Sequence, residues 1–390
     1  MTAGSRSDRL SLPRIRQWGP DDMENRYRDQ KIMDALAASI HRRCAAIGRR
    51  LKVMNVCGSH EHAIAEWALR DLLPEALELI PGPGCPVCVC AEHDIGEAIE
   101  IAKQGVTVLS FGDMLRVRTR YGSLMDARSE GADIRIIYSP DDAVEAARTE
   151  PDREFVFFAV GFETTAAPVA ALFAGHVPAN FSVLTALKLT APAVEALVLG
   201  GRDDNALDGL LAPGHVAVIV GAQDWERFPG MYGLPVAVAG FEPVDVLAAL
   251  EMIIRMLEQG QAGLANEYAR YVKHEGNTAA RKLMQNVFRV APAFWRAVGR
   301  VENSGLFLTD AHRSYDARVR YGVSLEETAG QDIPQGCLCH KVVLGQAYPS
   351  QCALFEKKCT MMDPYGPCMV SEEGACHIWS RFGAAVKGRL

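Results

Sequence analysis

The chain has 390 residues, of which 49% are hydrophobic and 23% charged, and its formal net charge is −7. At this length we expect two or three domains, because a single hydrophobic core stops growing earlier. The interspersed, slightly acidic charge argues against a nucleic-acid-binding surface, and no apolar run reaches the roughly 18 residues that span a bilayer, so we expect no membrane partner.

The first 29 residues are polar, with scattered Arg and Asp and without the apolar core of a secretory signal. We interpret residues 1–29 as a flexible lead-in, and we expect the protein to be cytoplasmic and monomeric when alone. In a reducing cytoplasm, clustered cysteines bind metal or do redox work more often than they form structural disulfides.

Between about residues 50 and 240, short apolar runs alternate with helical patterns, which predicts parallel sheets covered by helices. The expected strands are Val53–Val56, Leu77–Ile80, Val106–Ser110, Ile134–Tyr138, Phe155–Val160, Phe181–Leu184, Val216–Val220 and Val236–Ala239. The expected helices are His62–Leu72, Asp94–Lys103, Asp141–Arg148, Ala191–Leu199 and the amphipathic Val244–Gln259. The predicted fold class is therefore α/β, with two parallel-sheet, Rossmann-like domains.

These patterns divide the chain in sequence order. We expect a first α/β domain at residues 30–145, a second at 146–245 and a third at 246–390. Helical patterns continue to about Gly299, after which loops dominate and six cysteines occur. The third domain is thus predicted to be helical at first, with a loop-rich tail whose small core is held together by metal.

Four unusual loops follow the first, second, third and fifth predicted strands. They are Cys57-Gly-Ser-His60-Glu-His62, Gly82-Pro-Gly-Cys85-Pro-Val-Cys88, Phe111-Gly-Asp113-Met and Gly161-Phe-Glu163-Thr-Thr. In open α/β sheets, ligands bind at the carboxyl ends of the strands. We therefore expect the four loops to line one shared cleft.

The first loop places a thiol and two imidazoles within six residues. A helix that begins there would lower the pKa of the Cys57 thiol and favour a thiolate ligand or nucleophile. A polar loop with helix-capping histidines explains the same residues, so the motif alone does not decide between the two interpretations.

The second loop holds Cys85 and Cys88 between glycines and a proline, an arrangement that permits reversible disulfide formation or metal binding. The alternative is that both are small buried hydrophobic residues. Cys90, two positions on, is either an auxiliary thiol or a packed side chain. Cys44 lies in a helical pattern and is interpreted as structural.

The carboxylates of the other two loops are ambiguous. Asp113 and Glu163 either orient histidines and accept protons in the cleft, or cap the helices that follow them. His215 precedes a predicted strand and is interpreted as structural, and Lys188 is interpreted as an exposed loop residue.

The tail holds six cysteines within forty residues: Cys337, Cys339, Cys352, Cys359, Cys368 and Cys376. Core packing does not explain so many thiols, and four thiolates suffice for either zinc or a cubane iron–sulfur cluster. The spacings lack the short Cys-x₂₋₄-Cys knuckles that are usual for zinc, which favours an iron–sulfur cluster. Two cysteines remain, and such a spare pair could pass electrons from the cluster to Cys85 and Cys88.

Together these segments resemble the HypD family of NiFe-hydrogenase maturation proteins. The resemblance rests on the four loops and on Asn180-Phe-Ser-Val-Leu, Pro213-Gly-His215-Val, Gly240-Phe-Glu242-Pro and Gly366-Pro-Cys368-Met-Val-Ser-Glu-Glu-Gly-Ala-Cys376, in family order. The sequence departs from the family pattern at Cys90 and Ala91, where Thr-Pro is more frequent.

The resemblance implies a scaffold on which an iron atom acquires two cyanides and one carbon monoxide. It implies two partners, a HypC-type chaperone and a HypE-type cyanide donor. It also implies that Cys57 is the iron-holding thiolate, helped by His60, and that Cys85 and Cys88 are a redox pair of which Cys88 also meets the iron.

The resemblance further implies a 4Fe–4S cluster in the tail. Its ligands would be Cys337, Cys352, Cys359 and Cys376. Cys339 and Cys368 would then be the spare redox thiols.

We therefore expect a hydrogenase maturation factor that assembles an Fe(CN)2CO unit and passes it on, a scaffold with internal redox chemistry rather than a conventional turnover enzyme. The alternative is an iron–sulfur-dependent protein disulfide reductase whose exchanging pair is Cys85 and Cys88. A third possibility is a structural protein stabilised by zinc.

Overall fold

The structure is a computed structural model that describes residues 26–200, 206–327 and 333–383. Most of the predicted lead-in, residues 1–25, lies outside these described residues. The described chain forms two sheets with helices packed against them, which confirms the predicted α/β class.

The strands and helices occur in the following order along the chain. The strands are β1 (Leu51–Asn55), β2 (Leu77–Pro81), β3 (Thr107–Ser110), β4 (Ile134–Ile136), β5 (Phe155–Gly161), β6 (Phe181–Lys188), β7 (Gly209–Pro213), β8 (Val236–Ala239), β9 (Leu264–Asn266), β10 (Phe288–Trp295) and β11 (Gly299–Leu308). The helices are α1 (Gln30–Ile47), α2 (Gly58–Glu66), α3 (Pro86–Val89), α4 (Glu92–Lys103), α5 (Leu124–Ser129), α6 (Pro140–Thr149), α7 (Glu163–Leu172), α8 (Thr190–Gly200), α9 (Gly214–Val220), α10 (Arg227–Tyr232), α11 (Pro243–Glu258), α12 (Thr278–Val287), α13 (Ala317–Tyr321), α14 (Cys339–Val343), α15 (Pro367–Val370) and α16 (Ala375–Phe382).

The first sheet has the strand order β2-β1-β7-β8-β9, and all of its neighbouring strands are parallel. Because the strands run the same way, the loops after β1, β2, β7 and β8 leave one common edge. Helices α1 and α11 cover this sheet. Helix α1 begins where the Asp29 carboxylate accepts hydrogen bonds from two backbone amides, and it ends at Gly48 with a positive φ of 71°.

The second sheet has the order β10-β11-β6-β5-β3-β4. Strands β4, β3, β5 and β6 are parallel, whereas β11 is antiparallel to both β6 and β10. Every residue of β5 and β6 is buried. This explains why both strands are nearly continuous apolar runs in the sequence, as is usual for parallel strands covered on both faces.

The strands do not follow the expected division near residue 145. Strands β3 and β4 come from the first predicted domain, yet they pair into the sheet of β5 and β6, and β7 and β8 return to the sheet of β1. Local patterns predict that strands exist but not which strands pair, because pairing is decided by contacts between distant segments.

Two predicted elements are wrong. The apolar run Val216–Val220 is not a strand but most of α9, and the strand is the preceding Gly209–Pro213. The β-branched residues of the run favour a strand locally, but the place between β1 and β8 is filled by β7. Similarly, helix does not continue to Gly299, because β10 and β11 form an antiparallel hairpin there.

Residues 333–383 contain short helices joined by loops, and they pack against the loops of the first sheet. Helix α16 lies on α2, where Nε1 of Trp379 donates to Oε1 of Glu61 at 2.8 Å. Glu61 is itself buried and paired with Arg70 at 2.9 Å. The tail is therefore held against α2, the helix that follows Cys57.

Candidate functional site

The loops that follow β1 and β2 touch through their backbones. The amide of Gly58 donates to the carbonyl of Gly84 at 3.4 Å. A Cβ atom on Gly84 would lie 2.5 Å from Cα of Cys57, so only glycine allows this approach. A Cβ on Gly58 would lie 2.6 Å from the carbonyl oxygen of Glu373, so the tail approaches the same loop equally closely.

Cys57 is the residue that immediately precedes α2, and its side chain is 2% exposed. Burial raises the pKa of its thiol to about 12, although hydrogen bonds from the backbone of His60 and Ser59 oppose the shift. The expected lowering of this pKa by the helix terminus is therefore wrong for the metal-free protein, because desolvation of the thiolate outweighs the few amides that face it.

Two histidine rings in the region of Cys57 both pack against the ring of Phe241. Nδ1 of His215 is 3.8 Å from the Cys57 sulfur, and its ring stacks on Phe241 with centroids 5.2 Å apart. The ring of His60 lies 5.1 Å from the same phenyl ring. Burial lowers the pKa of His215 to about 4 and that of His60 to about 3, so both imidazoles are neutral at pH 7.

The tautomer of His60 follows from its hydrogen bond. Nε2 of His60 is 3.2 Å from the carbonyl oxygen of Ala239, which can only accept, so Nε2 carries the proton. Nδ1 therefore bears a lone pair, and it has no hydrogen-bond partner among the described residues. This orphaned, buried nitrogen is available as a metal ligand.

His215 and Phe241 were missed by the sequence analysis as site residues. His215 was placed before a strand because the neighbouring strand was assigned to Val216–Val220, whereas it actually follows β7 at the same sheet edge as Cys57. The signal that could have found it is Pro213-Gly214, which ends a strand and begins a helix as the other site loops do.

Cys85 and Cys88 form a disulfide in the structure, with their Cα atoms 5.3 Å apart. Both line one narrow pocket together with Cys57 and the tail residue Cys368. The Cys88 sulfur lies 3.9 Å from the carbonyl oxygen of Pro367, the residue that precedes Cys368. The structure thus brings the two predicted thiol systems to a common point.

A second and larger cavity of about 530 Å³ adjoins this pocket. It is lined by Pro86 of the second loop, Asp113 of the third, Thr165 of the fourth, and Ser371 to Glu373 of the tail. The expected single cleft is therefore divided, since a third cavity of about 300 Å³ borders the first loop at Ser59 and His62, and Glu373 lines all three.

The acidic residues of this region differ in their roles. Burial raises the pKa of Asp113, and the hydroxyl of Ser371 opposes the shift by hydrogen bonding to its carboxylate. Burial and the charge of Asp113 raise the pKa of Glu373 to about 6. Sequence analysis missed Glu373, since nothing local marks a glutamate so far along the chain as a neighbour of Cys57.

Glu163 is buried but does not line either cavity as placed. Its carboxylate accepts hydrogen bonds from the amide and the hydroxyl of Thr190, both at 2.7 Å. Burial nevertheless raises its pKa to about 7. In this conformation Glu163 ties the start of α7 to the start of α8.

The six tail cysteines are all buried, and all but Cys352 belong to one hydrophobic cluster. The sulfurs of Cys337 and Cys339 are 3.2 Å apart. Cys339 also interacts with the thiols of Cys368 and Cys376, and Cys337 with that of Cys352. The sixth thiol, Cys359, accepts hydrogen bonds from the amides of Tyr365 and Gly366 at 3.3 and 3.5 Å.

The donors fit an iron–sulfur cluster in their type and proximity. Several sulfurs lie within hydrogen-bonding reach of one another, and amide donors to cysteine sulfur stabilise thiolate ligands. A Cβ on Gly366 would lie 2.6 Å from the Cys337 sulfur and 2.8 Å from the Cys339 sulfur. Only glycine at position 366 therefore leaves room for these two sulfurs. As placed, the described His, Cys, Asp and Glu side chains contain no group of three or more with the geometry of a metal site.

In the part of the chain that the structure describes, we found no helix with both the length and the apolar character needed to cross a membrane.

Comparison with known proteins identifies relatives along almost the whole chain. The family model HypD, described as the hydrogenase formation hypA family, matches residues 31–383. A putative hydrogenase expression/formation protein of Methanocaldococcus jannaschii is 41% identical over 336 residues, 85% of this chain and 92% of the relative. The hydrogenase maturation factor HypD of Rhodobacter capsulatus is 39% identical over 371 residues, covering 92% and 97% of the two chains. That of Cupriavidus necator is 38% identical over 368 residues, covering 92% and 96%.

Proposed function

This chain belongs to the HypD family of hydrogenase maturation factors, and from that premise we propose that it is the scaffold on which an iron atom acquires two cyanides and one carbon monoxide before the unit is passed on. The observation that carries the proposal is the pocket lined jointly by Cys57, Cys85, Cys88 and Cys368. In this proposal the thiol that holds the iron and the thiols that carry electrons meet in that pocket.

In this proposal the iron is cargo and Cys57 holds it. Ferrous iron with cyanide and carbonyl ligands prefers soft thiolate donors, so the Cys57 thiol must lose its proton as the metal binds. Nδ1 of His215 lies 3.8 Å from the sulfur, and in the tautomer that carries its proton on Nε2 it would accept that proton. The unpartnered Nδ1 of His60 would be a second ligand for the iron.

The tail would hold a 4Fe–4S cluster through Cys337, Cys352, Cys359 and Cys376, with Cys339 and Cys368 as redox thiols. When bound, the cluster would supply electrons for the attachment of ligands. The chain's own contribution is to bury these thiols and to place Cys368 on the same pocket as Cys88.

We assign the partners, a HypC-type chaperone and a HypE-type cyanide donor, to the open side of the site. The 530 Å³ cavity beside Asp113 and Glu373 gives access from solvent to α3, the helix that begins after Cys85 and carries Cys88. The pocket that contains Cys57 is much smaller, at about 20 Å³, which is room for one water-sized group. Delivery of an iron unit therefore requires the surrounding loops or the tail to move.

A second candidate function is supported by the disulfide itself. Cys85 and Cys88 are already oxidised in the structure, and Cys88 lies next to the tail segment that carries Cys368. An iron–sulfur-dependent protein disulfide reductase would use this arrangement on other proteins. Reduction of a protein disulfide by the isolated chain with a reduced ferredoxin, without any partner, would favour this alternative.

The test of the first proposal compares the anaerobically purified full chain with its Cys57→Ser variant, each produced together with the other maturation factors. We expect the wild type to show infrared bands of cyanide and carbonyl ligands, along with iron and sulfide. C57S should lose the infrared bands and keep the iron and sulfide of the cluster. Cys44→Ala, which removes a thiol buried in α1, is the control. Persistence of the bands in C57S would refute the assignment.

A further inference from the structure

The loop that follows β8 places one phenyl ring against both histidines of the proposed iron site. Strand β8 ends at Ala239, and Gly240-Phe241-Glu242 leads from it into α11. The ring of Phe241 packs against the rings of His60 and His215, with centroids 5.1 and 5.2 Å away. The carbonyl oxygen of Ala239 also accepts from Nε2 of His60 at 3.2 Å. Both imidazoles therefore depend on this loop for their positions.

Two carboxylates hold the loop through the amides that flank Phe241. The amide of Gly240 donates to Oε2 of Glu267 at 3.1 Å, and that of Glu242 donates to Oδ2 of Asp245 at 3.3 Å. A Cβ on Gly240 would lie 2.2 Å from Oδ2 of Asp245, so the backbone passes directly against this carboxylate. Phe241 is thus fixed by one hydrogen bond before it and one after it.

Asp245 has a structural explanation that Glu267 lacks. Asp245 is the third residue of α11, where a carboxylate usually accepts a hydrogen bond from the amide before the helix. Glu267 directly follows β9, with its side chain 11% exposed. Arg270 pairs closely with Asp245 and at 3.5 Å with Glu267, so one cation faces two carboxylates. Burial and the charge of Asp245 raise the pKa of Glu267 to about 7, which shows that its charged form is unfavourable there.

The hydrogen-bonding needs of this pair do not require a charge on Glu267. Oδ1 of Asp245 is buried and has no hydrogen-bond partner among the residues that the structure describes. The carboxyl of Glu267 interacts with that of Asp245. A protonated Glu267 could donate to Asp245 and still accept from Gly240, and the side-chain amide of a glutamine could do the same. What Glu267 supplies to the loop is therefore an acceptor for the Gly240 amide.

We propose that Glu267 is a positioning residue for the two histidines of the iron site. It holds the amide of Gly240 so that the Phe241 ring packs against His60 and His215. Residues that orient metal ligands in this way govern how well a metal is held. The inference rests on the proposed function, which makes one of these imidazoles a ligand for the iron and the other the acceptor of the thiol proton.

The test measures how fast diethyl pyrocarbonate modifies each histidine at pH 7, followed by peptide mapping. The sample is the anaerobic full chain produced without the other maturation factors, so that it carries no iron–ligand unit. Glu267→Leu removes the acceptor and Glu267→Gln keeps it. Glu251→Ala is the matched control, because it removes another carboxylate that pairs with an arginine beside the first sheet. The exposed His274 is the internal reference.

We expect E267L to raise the modification rates of His60 and His215 by roughly fivefold, because the loop that covers them opens more often. The rate at His274 should not change, and E267Q and E251A should match the wild type. In chains produced with the other maturation factors, E267L should lower the cyanide and carbonyl infrared bands by about tenfold relative to cluster iron. E267Q should keep the bands. A merely structural role would lower stability to urea without this selective change at two histidines.

Wild-type rates at His60 and His215 in folded E267L would overturn the inference. So would an equal rise in E251A or in E267Q, since loss of the acceptor would then not be the cause. Infrared bands at full strength in E267L despite faster modification would also overturn it.

If E267L does not fold, Phe241→Leu repeats the measurement at the ring itself, and failure of both variants to fold would overturn the inference, because the contact would then serve the whole fold. A wild type that shows no cyanide or carbonyl bands, but whose histidines respond to E267L as expected, would defeat the proposed function alone. The positions of the two imidazoles would still depend on Glu267.

Discussion

Nδ1 of His215 lies 3.8 Å from the sulfur of Cys57, although the two residues are 158 positions apart in the chain. They are brought together because β1 and β7 are parallel neighbours in the first sheet, so the loops that follow them leave the same edge. Burial lowers the pKa of His215 to about 4 and raises that of Cys57 to about 12, so the pair is neutral before metal binds. We therefore expect the Cys57 thiol to lose its proton when a metal cation binds to the sulfur.

The first prediction concerns Glu373. Burial is the main cause of the high pKa of Cys57, and the negative charge of Glu373 adds to it. In the metal-free full chain, Glu373→Gln should therefore raise the rate at which iodoacetamide alkylates Cys57 at pH 8, by roughly two- to fivefold for one partly screened charge. Peptide mapping by mass spectrometry measures the rate. Glu372→Gln, which changes the adjacent residue, is the control, and equal rates in E372Q and E373Q would contradict the prediction.

The second prediction is a pH dependence set by Glu163. Burial raises the pKa of this carboxyl from 4.5 to about 7, so the folded state binds a proton that the unfolded state has lost. The contribution of Glu163 to stability is thus fully present below pH 4.5 and is lost as the pH rises to 7, by up to about 3 kcal/mol. Urea unfolding of the wild type and Glu163→Gln across this range should show a difference that changes with pH. Glu145→Gln, at an exposed position of α6, should parallel the wild type.

The third prediction concerns the contact between the first two loops. In Gly84→Ala, the new methyl group would lie 2.5 Å from Cα of Cys57, so the loops must separate. We expect a loss of about 1–3 kcal/mol in the free energy of unfolding and the loss of the iron–ligand infrared bands. Gly230→Ala is the matched control, because a methyl group there meets nothing within 4 Å. Wild-type stability in G84A would show that the loops can move apart freely.

The fourth prediction separates the roles of the tail cysteines. Serine at Cys337, Cys352, Cys359 or Cys376 should remove most of the iron and sulfide from the anaerobic protein, because each loses a proposed cluster ligand. Serine at Cys339 or Cys368 should keep the iron and sulfide and abolish electron transfer to Cys85 and Cys88. Iron and sulfide analysis, with thiol counting, decides the matter. Loss of iron from C339S or C368S would mean that the two sets are wrongly divided.

The fold class and the main site loops could be predicted because their signals are local. A buried parallel strand is a continuous apolar run, and Cys57, Cys85 and Cys88 each follow such a run within a few residues. Helix α11 was also predicted, since its apolar positions recur at helical spacing. These features depend on neighbours in sequence, and the sequence displays them.

The remaining features depend on pairing between distant segments. Nothing in Val216–Val220 shows that a neighbouring segment already fills the place between β1 and β8, so the strand was misplaced and His215 with it. Lys188, the last residue of β6, is buried. It was interpreted as exposed because its partner Asp94 lies on α4, 94 positions earlier in the chain. Glu373 reaches the Cys57 loop only through the docking of the tail, which depends on contacts such as that between Trp379 and Glu61.

The docking of the tail has a consequence during synthesis of the protein. Cys57 emerges from the ribosome early, but the residues that close its pocket, Cys368 and Glu373, are added hundreds of positions later. Strand β1 also has one unpaired edge until β7 has been synthesised. A nascent chain therefore carries an open, unprotected thiol and no finished binding site. Iron that reaches the chain before the tail has been synthesised would therefore meet an uncovered and more reactive Cys57 thiol. Iron that arrives afterwards would meet the buried thiol.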